Sequence, residues 1–344
     1  MGKDLNIYTI AREAGVSVST VSRVMTQSAK VSPEKKQRVE EVIQKYNYRP
    51  NALARGLSST KTHMIGLLAA DLENPYYSAL ITSCEKEINR RGYVPMISSF
   101  YMEDERERES LQKMSEMQVE AIVMLGGKSD SLINDPEYAE LVNQVLESVP
   151  IVTTGFIEGT DCHQVTVDEG EATEMAIRHL ISLGHRRIAM IGGFDHMKST
   201  HEKRVRYREE LKKYGIEYRE GYVKDSNYSI EGGYQAMNEF FEENQMLPTA
   251  VIAINDFSAV GIIRSIKEHG YEIPEDIALV SFDNTFIAEA VIPKLTSLSY
   301  ELNEYGTHLI DTVIGLIEGK EFPCVQKYSA RLIVRESSGN PIGK

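Results

Sequence analysis

Apolar positions along this chain follow two registers, and the change from one to the other divides it. Near the N-terminus the register is helical. Ile10, Ala11 and Ala14 recur at three- and four-residue spacing, as do Val21 and Val24, and then Val39, Val42, Ile43 and Tyr46. The runs predict three short helices. Gly15 tolerates the positive φ that a sharp break between the first two needs. Ser17 can cap the second helix by accepting an orphan backbone N–H. Ser32-Pro33-Glu34 opens the third, with proline at the first helical position and an acid favourable to the helix dipole. Small Ala11 and Ala14 let the first two helices cross closely. Spacing alone fits a DNA-reading helix-turn-helix and any other helical hairpin equally.

From Met64 onward the register changes. The runs 64–70, 120–125, 150–155, 187–193, 250–255 and 277–282 are apolar on both faces and alternate with amphipathic stretches of helical length. Such alternation predicts parallel sheets covered by helices. About ten units are too many for one sheet at this length, so two doubly wound subdomains are expected. Between the two regions, Pro50 opens the stretch Asn51 to Leu57, far short of the roughly 12–15 residues an isolated helix needs in water. It reads as a linker or as a marginal helix.

Charge sharpens this division. The whole chain of 344 residues carries −13, which at first argues against nucleic acid. Residues 1–62, however, hold 11 Lys+Arg against 5 Asp+Glu, and the remainder holds 27 against 46. A small basic head on an acidic body is a local footprint for phosphates. Cys84, Cys162 and Cys324 are odd in number and far apart, which fits neither a disulfide framework nor a zinc knuckle; buried thiols in a reducing compartment are expected. The N-terminus has no signal-peptide pattern and no apolar run approaches the ~18 residues of a membrane span, so a cytoplasmic protein without a membrane partner is expected.

The segments GVSVSTVSRV, VSPEKKQRV and YNYRPNALARGL follow one another in an order that resembles the DNA-binding head of the lactose/galactose repressor family of bacterial transcription factors. The resemblance extends along nearly the whole chain. It implies a helix-turn-helix head over 1–49, a hinge helix and linker over 50–62, a periplasmic-binding-protein-like core for effector binding and dimerisation over 63–338, and a tail over 339–344. It places the crossings between subdomains near 163–165, 292–295 and 325. The N-subdomain would then be 63–163 and 294–325, and the C-subdomain 164–293 and 326–338.

For DNA, the resemblance implies base reading by Val18 and Ser19, accompanied by Ser17, Thr20, Ser22 and Arg23, with Tyr8, Thr9 and Tyr48 alongside. Arg23 can pair bidentately with guanine or bind phosphate, and Val18 can pack on a thymine methyl. Thr20 and Ser22 suit backbone contacts. Lys35, Lys36 and Arg38 fit a solvated face as well as a phosphate contact. The hinge, with Asn51, Ala54, Arg55 and Leu57, would form only when two subunits sit on DNA, Leu57 wedging between base steps of the minor groove.

In doubly wound folds, ligands bind at the C-terminal ends of the strands, in the cleft between halves. That rule selects Asp71, Asn74, Tyr76 and Tyr77 after the first strand, and Asn255 and Asp256 after IAIN. It also selects Asp283 after IALVSF, Asp168 after VTV, and Tyr228 in a loop before a helix. Asp283 and Asn255 lead this set, although an Asp at a strand end is commonly just the cap of the next helix. The family usually places an arginine ligand clamp four residues before an aromatic residue. Here strict spacing from Tyr207 gives Lys203, and a one-residue deletion would give Arg204. At the fourth strand end, where the family often has an acid, this chain has Gly155-Phe156, so Phe156 would stack instead.

Gly127-Lys128-Ser129 imitates a P-loop end but has Ile122 where the motif needs glycine. Asp195, His196, His201 and Glu202 lie close in sequence without a metal-ligand pattern. No catalytic motif, metal site or cofactor is expected. The expected protein is a homodimeric repressor of carbohydrate-use genes. It would bind a pseudo-palindromic operator and answer to a sugar-like effector in the cleft. Two alternatives stand beside it: a regulator whose core binds a phosphocarrier protein as corepressor, and a solute receptor, which the attached head disfavours. No leucine-heptad tail follows Arg335, so a coiled-coil tetramer is not expected. A phosphate-dominated contact set makes operator affinity fall steeply with salt, log K losing about 0.9 per phosphate contact for each tenfold rise. Fluorescence-anisotropy titrations from low to physiological salt check this, and a flat profile would overturn the basic-head reading.

Overall fold

A computed structural model describes residues 6–26, 31–46, 62–243 and 246–339. The chain divides into two compact units at Thr62/His63.

In the head, α1 (Ile7–Ala14) starts at Asn6, whose side chain accepts the Thr9 N–H at 3.0 Å. It ends at Gly15, where φ is +63° and the helix reverses. Ser17 then caps α2 (Val18–Thr26), its Oγ accepting the Thr20 N–H at 3.2 Å. Pro33 opens α3 (Pro33–Tyr46). Ile10, Ala11, Ala14, Val21, Val24 and Val39 form the buried centre, with Val42, Ile43 and Tyr46 packed partly against it. The Tyr46 hydroxyl donates to Glu13 at 2.7 Å and ties α3 to α1.

The core runs β1 (Met64–Ala69), α4 (Pro75–Arg90), β2 (Val94–Ser99), α5 (Asp104–Glu116), β3 (Ala121–Leu125), α6 (Pro136–Leu146), β4 (Ile151–Thr153) and β5 (His163–Val167). It continues with α7 (Glu169–Ser182), β6 (Ile188–Ile191), α8 (Lys198–Lys213), β7 (Val223–Lys224), α9 (Ile230–Glu243), β8 (Ala250–Ala253), α10 (Asp256–Glu268) and β9 (Ala278–Asp283). It closes with α11 (Ile287–Ala290), β10 (Thr296–Ser299), α12 (Leu302–Ile317), β11 (Val325–Tyr328) and β12 (Arg331–Ile333). One six-stranded sheet has the order β11-β5-β4-β3-β1-β2 and is parallel throughout. The other has the order β12-β10-β9-β8-β6-β7, with β12 antiparallel at its edge.

Period-two alternation shares each strand between two cores. Ile65, Leu67 and Ala69 face α4 and α12, while Leu68 and Ala70 face the α5–α6 side. The second sheet does the same: Ala189 and Ile191 pack toward α9 and α10, Ile188 and Met190 toward α7 and α8. Both faces are covered, which is why the apolar runs are continuous.

The crossings fall later than the family pattern suggests. β5 pairs only within the first sheet, so the first crossing follows Val167 rather than 163–165. β10 belongs to the second sheet and β11 to the first, so the remaining crossings lie after Ser299 and after Tyr328. Each strand stays with its sheet to its C-terminal end, and the chain changes subdomain there, at the mouth of the cleft.

Two further devices position that cleft. Gly233 and Gly261 bring α9 and α10 into backbone contact: a Cβ at Gly261 would stand 1.9 Å from the Ile230 carbonyl oxygen. On the facing subdomain, buried Glu107 accepts the Tyr138 hydroxyl at 2.7 Å and the Lys128 N–H at 3.1 Å, fixing the turn Gly127–Asp130. Burial lifts the Glu107 carboxyl from 4.5 to about 7, against those two donors. The folded state therefore holds a proton that the unfolded chain releases, and core stability falls as pH rises from about 4.5 to about 7. The full effect is on the order of 3 kcal/mol. Glu107→Gln removes it: calorimetric melting at pH 5 and pH 8 is expected to show the variant gaining on wild type at the higher pH, and equal slopes would count against the assignment.

Candidate functional site

On the head, the exposed early face of α2 presents Ser17, Ser19 and Arg23 to solvent, with Tyr8 (70% exposed) at the start of α1. The Ser17 hydroxyl meets those of Ser19 and Thr20 at 2.8 and 2.9 Å. Thr20 and Ser22 are half-buried. Val18 is half-buried against the head core, so only part of its side chain can reach a base. Thr9 departs from its expected role. It is buried and its hydroxyl bonds Asn6 Oδ1 at 3.2 Å, because it stands in the first turn of α1 and completes the cap. Tyr48, Asn51, Ala54, Arg55 and Leu57, with the hinge helix, lie outside the described residues.

Between the two sheets, at the C-terminal strand ends, lies a cavity of about 570 Å³. Asp71, Asn74, Tyr76 and Tyr77 line it from one subdomain, and Lys203, Tyr228, Asn255 and Asp283 from the other. Across its rim the subdomains touch. Asp130 accepts the Ser199 N–H at 2.8 Å and its hydroxyl at 2.7 Å, the Leu132 N–H donates to the His196 carbonyl at 2.9 Å, and Ser131 bridges Met197.

Most polar groups at these strand ends are already engaged. Asn74 caps α4 through the Tyr76 N–H, and Asn255 caps α10 through the Ser258 N–H while its amide reaches the Tyr228 carbonyl. The Asp71 carboxylate accepts the Glu73 N–H at 2.8 Å. The Tyr228 hydroxyl is paired with that of Thr200 at 2.8 Å. Asp283 differs. It is only 9% exposed, sits at φ +93°, and its carboxylate has no hydrogen-bond partner among the described residues. Burial lifts its pKa well above the usual carboxylate range; neighbouring Asp256 adds to this and Lys203 opposes it. Burial likewise raises Asp130 to about 6, against its two bonds from Ser199.

Four expected ligand contacts lie outside the cavity wall. Asp256 is fully buried and accepts from the Ser281, Ser297 and Thr285 hydroxyls and the Thr285 N–H, so its oxygens have no capacity left. It holds the turn that strains Asp283. Asp168 is a cap, bonding the Glu171 N–H at 2.9 Å and Lys327 at 3.1 Å. Phe156 lies in a smaller neighbouring hollow beneath the Lys198 ammonium, 4.9 Å from its ring centre. Arg204 turns under β6, donating to the Gly192 and Gly193 carbonyls and pairing with Asp225 at 2.7 Å. Lys203 faces the cavity, so strict spacing from the aromatic residue locates the cation there.

Among the lining residues that escaped the strand-end rule are Glu169, Tyr300 and Asp130. Glu169 accepts Lys203 at 2.6 Å and the Tyr300 hydroxyl at 2.7 Å. It follows directly on Asp168, and Tyr300 follows β10 at its end; recognising LTSLS as a strand would have found it. Asp130 closes the Gly127-Lys128-Ser129 turn that reads as a chance P-loop.

A helix-turn-helix head joined to a periplasmic-binding-protein-like core defines a class: transcriptional regulators that read DNA with one unit and carry a two-subdomain clamp in the other. The family model for bacterial regulatory proteins of the lacI family matches residues 6–51, and that for a periplasmic binding protein-like domain matches 177–338. Catabolite control protein A of Staphylococcus epidermidis is 35% identical over 305 residues, 88% of this chain and 89% of that protein. That of Priestia megaterium is 32% identical over 88% and 90%. The lac repressor dimer bound to operator and an anti-inducer superposes with a TM-score of 0.86 at 23% identity, covering 98% and 100% of the two chains. A CelR–cellobiose complex superposes at 0.72 and 26% identity, covering 97% and 99%. The chain belongs to the LacI family of DNA-binding transcriptional regulators.

The two neighbouring aspartates separate structure from binding. Asp256→Ala leaves three hydroxyls and an N–H without their acceptor and is expected to cost roughly 2–4 kcal/mol. Asp283→Asn replaces a carboxyl that burial favours in its neutral form by a neutral amide of similar shape, and should leave stability within about 1 kcal/mol of wild type. Urea denaturation of the ligand-free protein checks both; a large loss at Asp283 would make it structural.

Proposed function

We propose that this regulator is a homodimeric repressor of carbohydrate-use genes whose operator affinity is set by a sugar-like effector in the core cavity. Ser19, Arg23 and the exposed part of Val18 would read each half-site, accompanied by Ser17, with Tyr8, Thr20 and Ser22 on the backbone. Two-fold protein symmetry would be mirrored in a pseudo-palindromic operator. The observation that carries the effector reading is the Asp283 carboxylate, buried, strained and unpartnered at the wall of a cavity that both subdomains line. Strain of this kind persists where the surrounding structure enforces it, and it concentrates at ligand sites. An effector touching both subdomains binds the closed clamp better than an open one and shifts the population accordingly. The cellobiose in the CelR complex and the ribose in an Enterococcus faecium regulator of 24% identity support a sugar as the ligand class.

The kinship with catabolite control proteins favours a second reading, a core that binds a phosphocarrier protein as corepressor. A thermal-shift screen of sugars, sugar phosphates, polyols and nucleobases separates the two. Ligand binding raises the melting temperature by mass action, by roughly 2.7 kcal/mol of stabilisation at a hundredfold excess over Kd. The expected result is a sugar that shifts wild type and leaves Asp283→Ala unmoved. No small-molecule response, together with co-purification of a phosphocarrier protein, would favour the second reading.

A further inference from the structure

The wall of the core cavity is chemically lopsided. Among its described lining residues stand five carboxyl side chains, Asp71, Asp130, Glu169, Glu202 and Asp283, against three lysines. All three lysines are engaged. Lys203 pairs with Glu169 at 2.6 Å, Lys327 with Asp168 at 3.1 Å, and Lys198 lies 4.9 Å above the Phe156 ring. Three of the acids are engaged as well: Asp71 by the Glu73 N–H, Asp130 by Ser199, and Glu169 by Lys203 and Tyr300. Of the remaining two, Glu202 is exposed, and Asp283, nine-tenths buried, accepts no hydrogen bond and forms no ion pair among the described residues, with Lys203 acting on it only as a nearby charge. Behind it the Asp256 carboxylate is saturated by its own donors and adds negative potential.

A buried carboxyl keeps its proton unless a charge or strong donors stabilise the ionised form. A neutral polyol supplies donors but no charge to set against an ionised Asp283. An anionic ligand gains nothing from Asp283 and finds two of the three ammonium groups already paired with carboxylates. A protonated amine resolves both problems. Tyr76 and Tyr77, in edge contact at 5.1 Å, and Tyr300, 6.1 Å from Tyr76, add aromatic surface that attracts a cation.

We propose that the cavity selects a cationic polyol, such as an amino sugar, whose ammonium pairs with Asp283, and that it rejects phosphorylated or carboxylated sugars. This selectivity rests on the effector reading given above. Titration calorimetry on the full chain would compare D-glucosamine, D-glucose and D-glucose 6-phosphate, then de-N-acetylated chitobiose and cellobiose, below the pKa of the sugar amine. The amine is expected to bind at least about tenfold tighter than its neutral counterpart, the factor carried by roughly 1.4 kcal/mol, and the phosphate not to bind. Asp283→Asn, near in shape and tolerant of positive φ, should abolish the preference without abolishing folding. Equal or tighter binding of the neutral or phosphorylated sugars overturns the selectivity and leaves the effector reading intact. No binding by any of the five, with operator release equally unresponsive to them, counts against both.

Discussion

Most parallel strands in this core hand the chain to a helix whose first backbone N–H groups have no partner inside that helix. Something at the strand end must accept those protons, and that demand decides which polar residues are available to a ligand. Asn74, Asp135, Asp168 and Asn255 meet it by capping α4, α6, α7 and α10. Asp256 meets a related demand, accepting the hydroxyls and N–H that hold the turn after β9. Asp283 stands at the end of β9 with no such duty. The helix that follows begins only at Ile287, and positive φ at Asp283 and Asn284 turns the chain between them. One carboxylate is thereby released from structural work and left facing the cavity.

The same constraint explains how much could be read from residue order. The three head helices and the six apolar runs were legible because burial imposes a period that survives in composition. Gly15 and Ser17 were legible because turn and cap chemistry admit few residue types. The strands β2 and β11 were not, since both lie at sheet edges and are only partly buried, and their periodicity is correspondingly weak. β10 is fully buried but only four residues long, with Thr, Ser and Ser in it, so it carries little apolar signal. The crossings came from the family resemblance alone, because without β10 and β11 nothing in the residue pattern marks where the later two fall.

For the site, the strand-end rule led to residues that line the cavity, but it could not tell a helix cap from an unengaged side chain. Asp256 and Asp283 look alike as residues after apolar strands, and Asp168 resembles Asp283 more closely still. What separates them is whether hydroxyls or N–H groups from distant positions converge on the oxygens: Ser281, Ser297 and Thr285 on one, none on the other. Those partners are tertiary facts. Thr9 was misjudged the same way, because a hydroxyl next to a helix start can serve the cap or the DNA and only packing decides.

Lys203 shows how one substitution relocates the logic of a site. A guanidinium at this position could hold a carboxylate through two parallel bonds and still present further donors to a ligand. A lysine concentrates its charge on one atom, and here Glu169 takes it at 2.6 Å while the Phe282 ring lies 4.9 Å away. Glu169 is in turn bonded by Tyr300, at the point where the chain passes from β10 to α12. The lysine thus ties α8 to α7 and to a crossing segment, and serves the clamp's framework as well as its wall. With the cation committed to the framework, Asp283 is left as the buried side chain at the cavity wall without a partner among the described residues, and its positive φ holds it there.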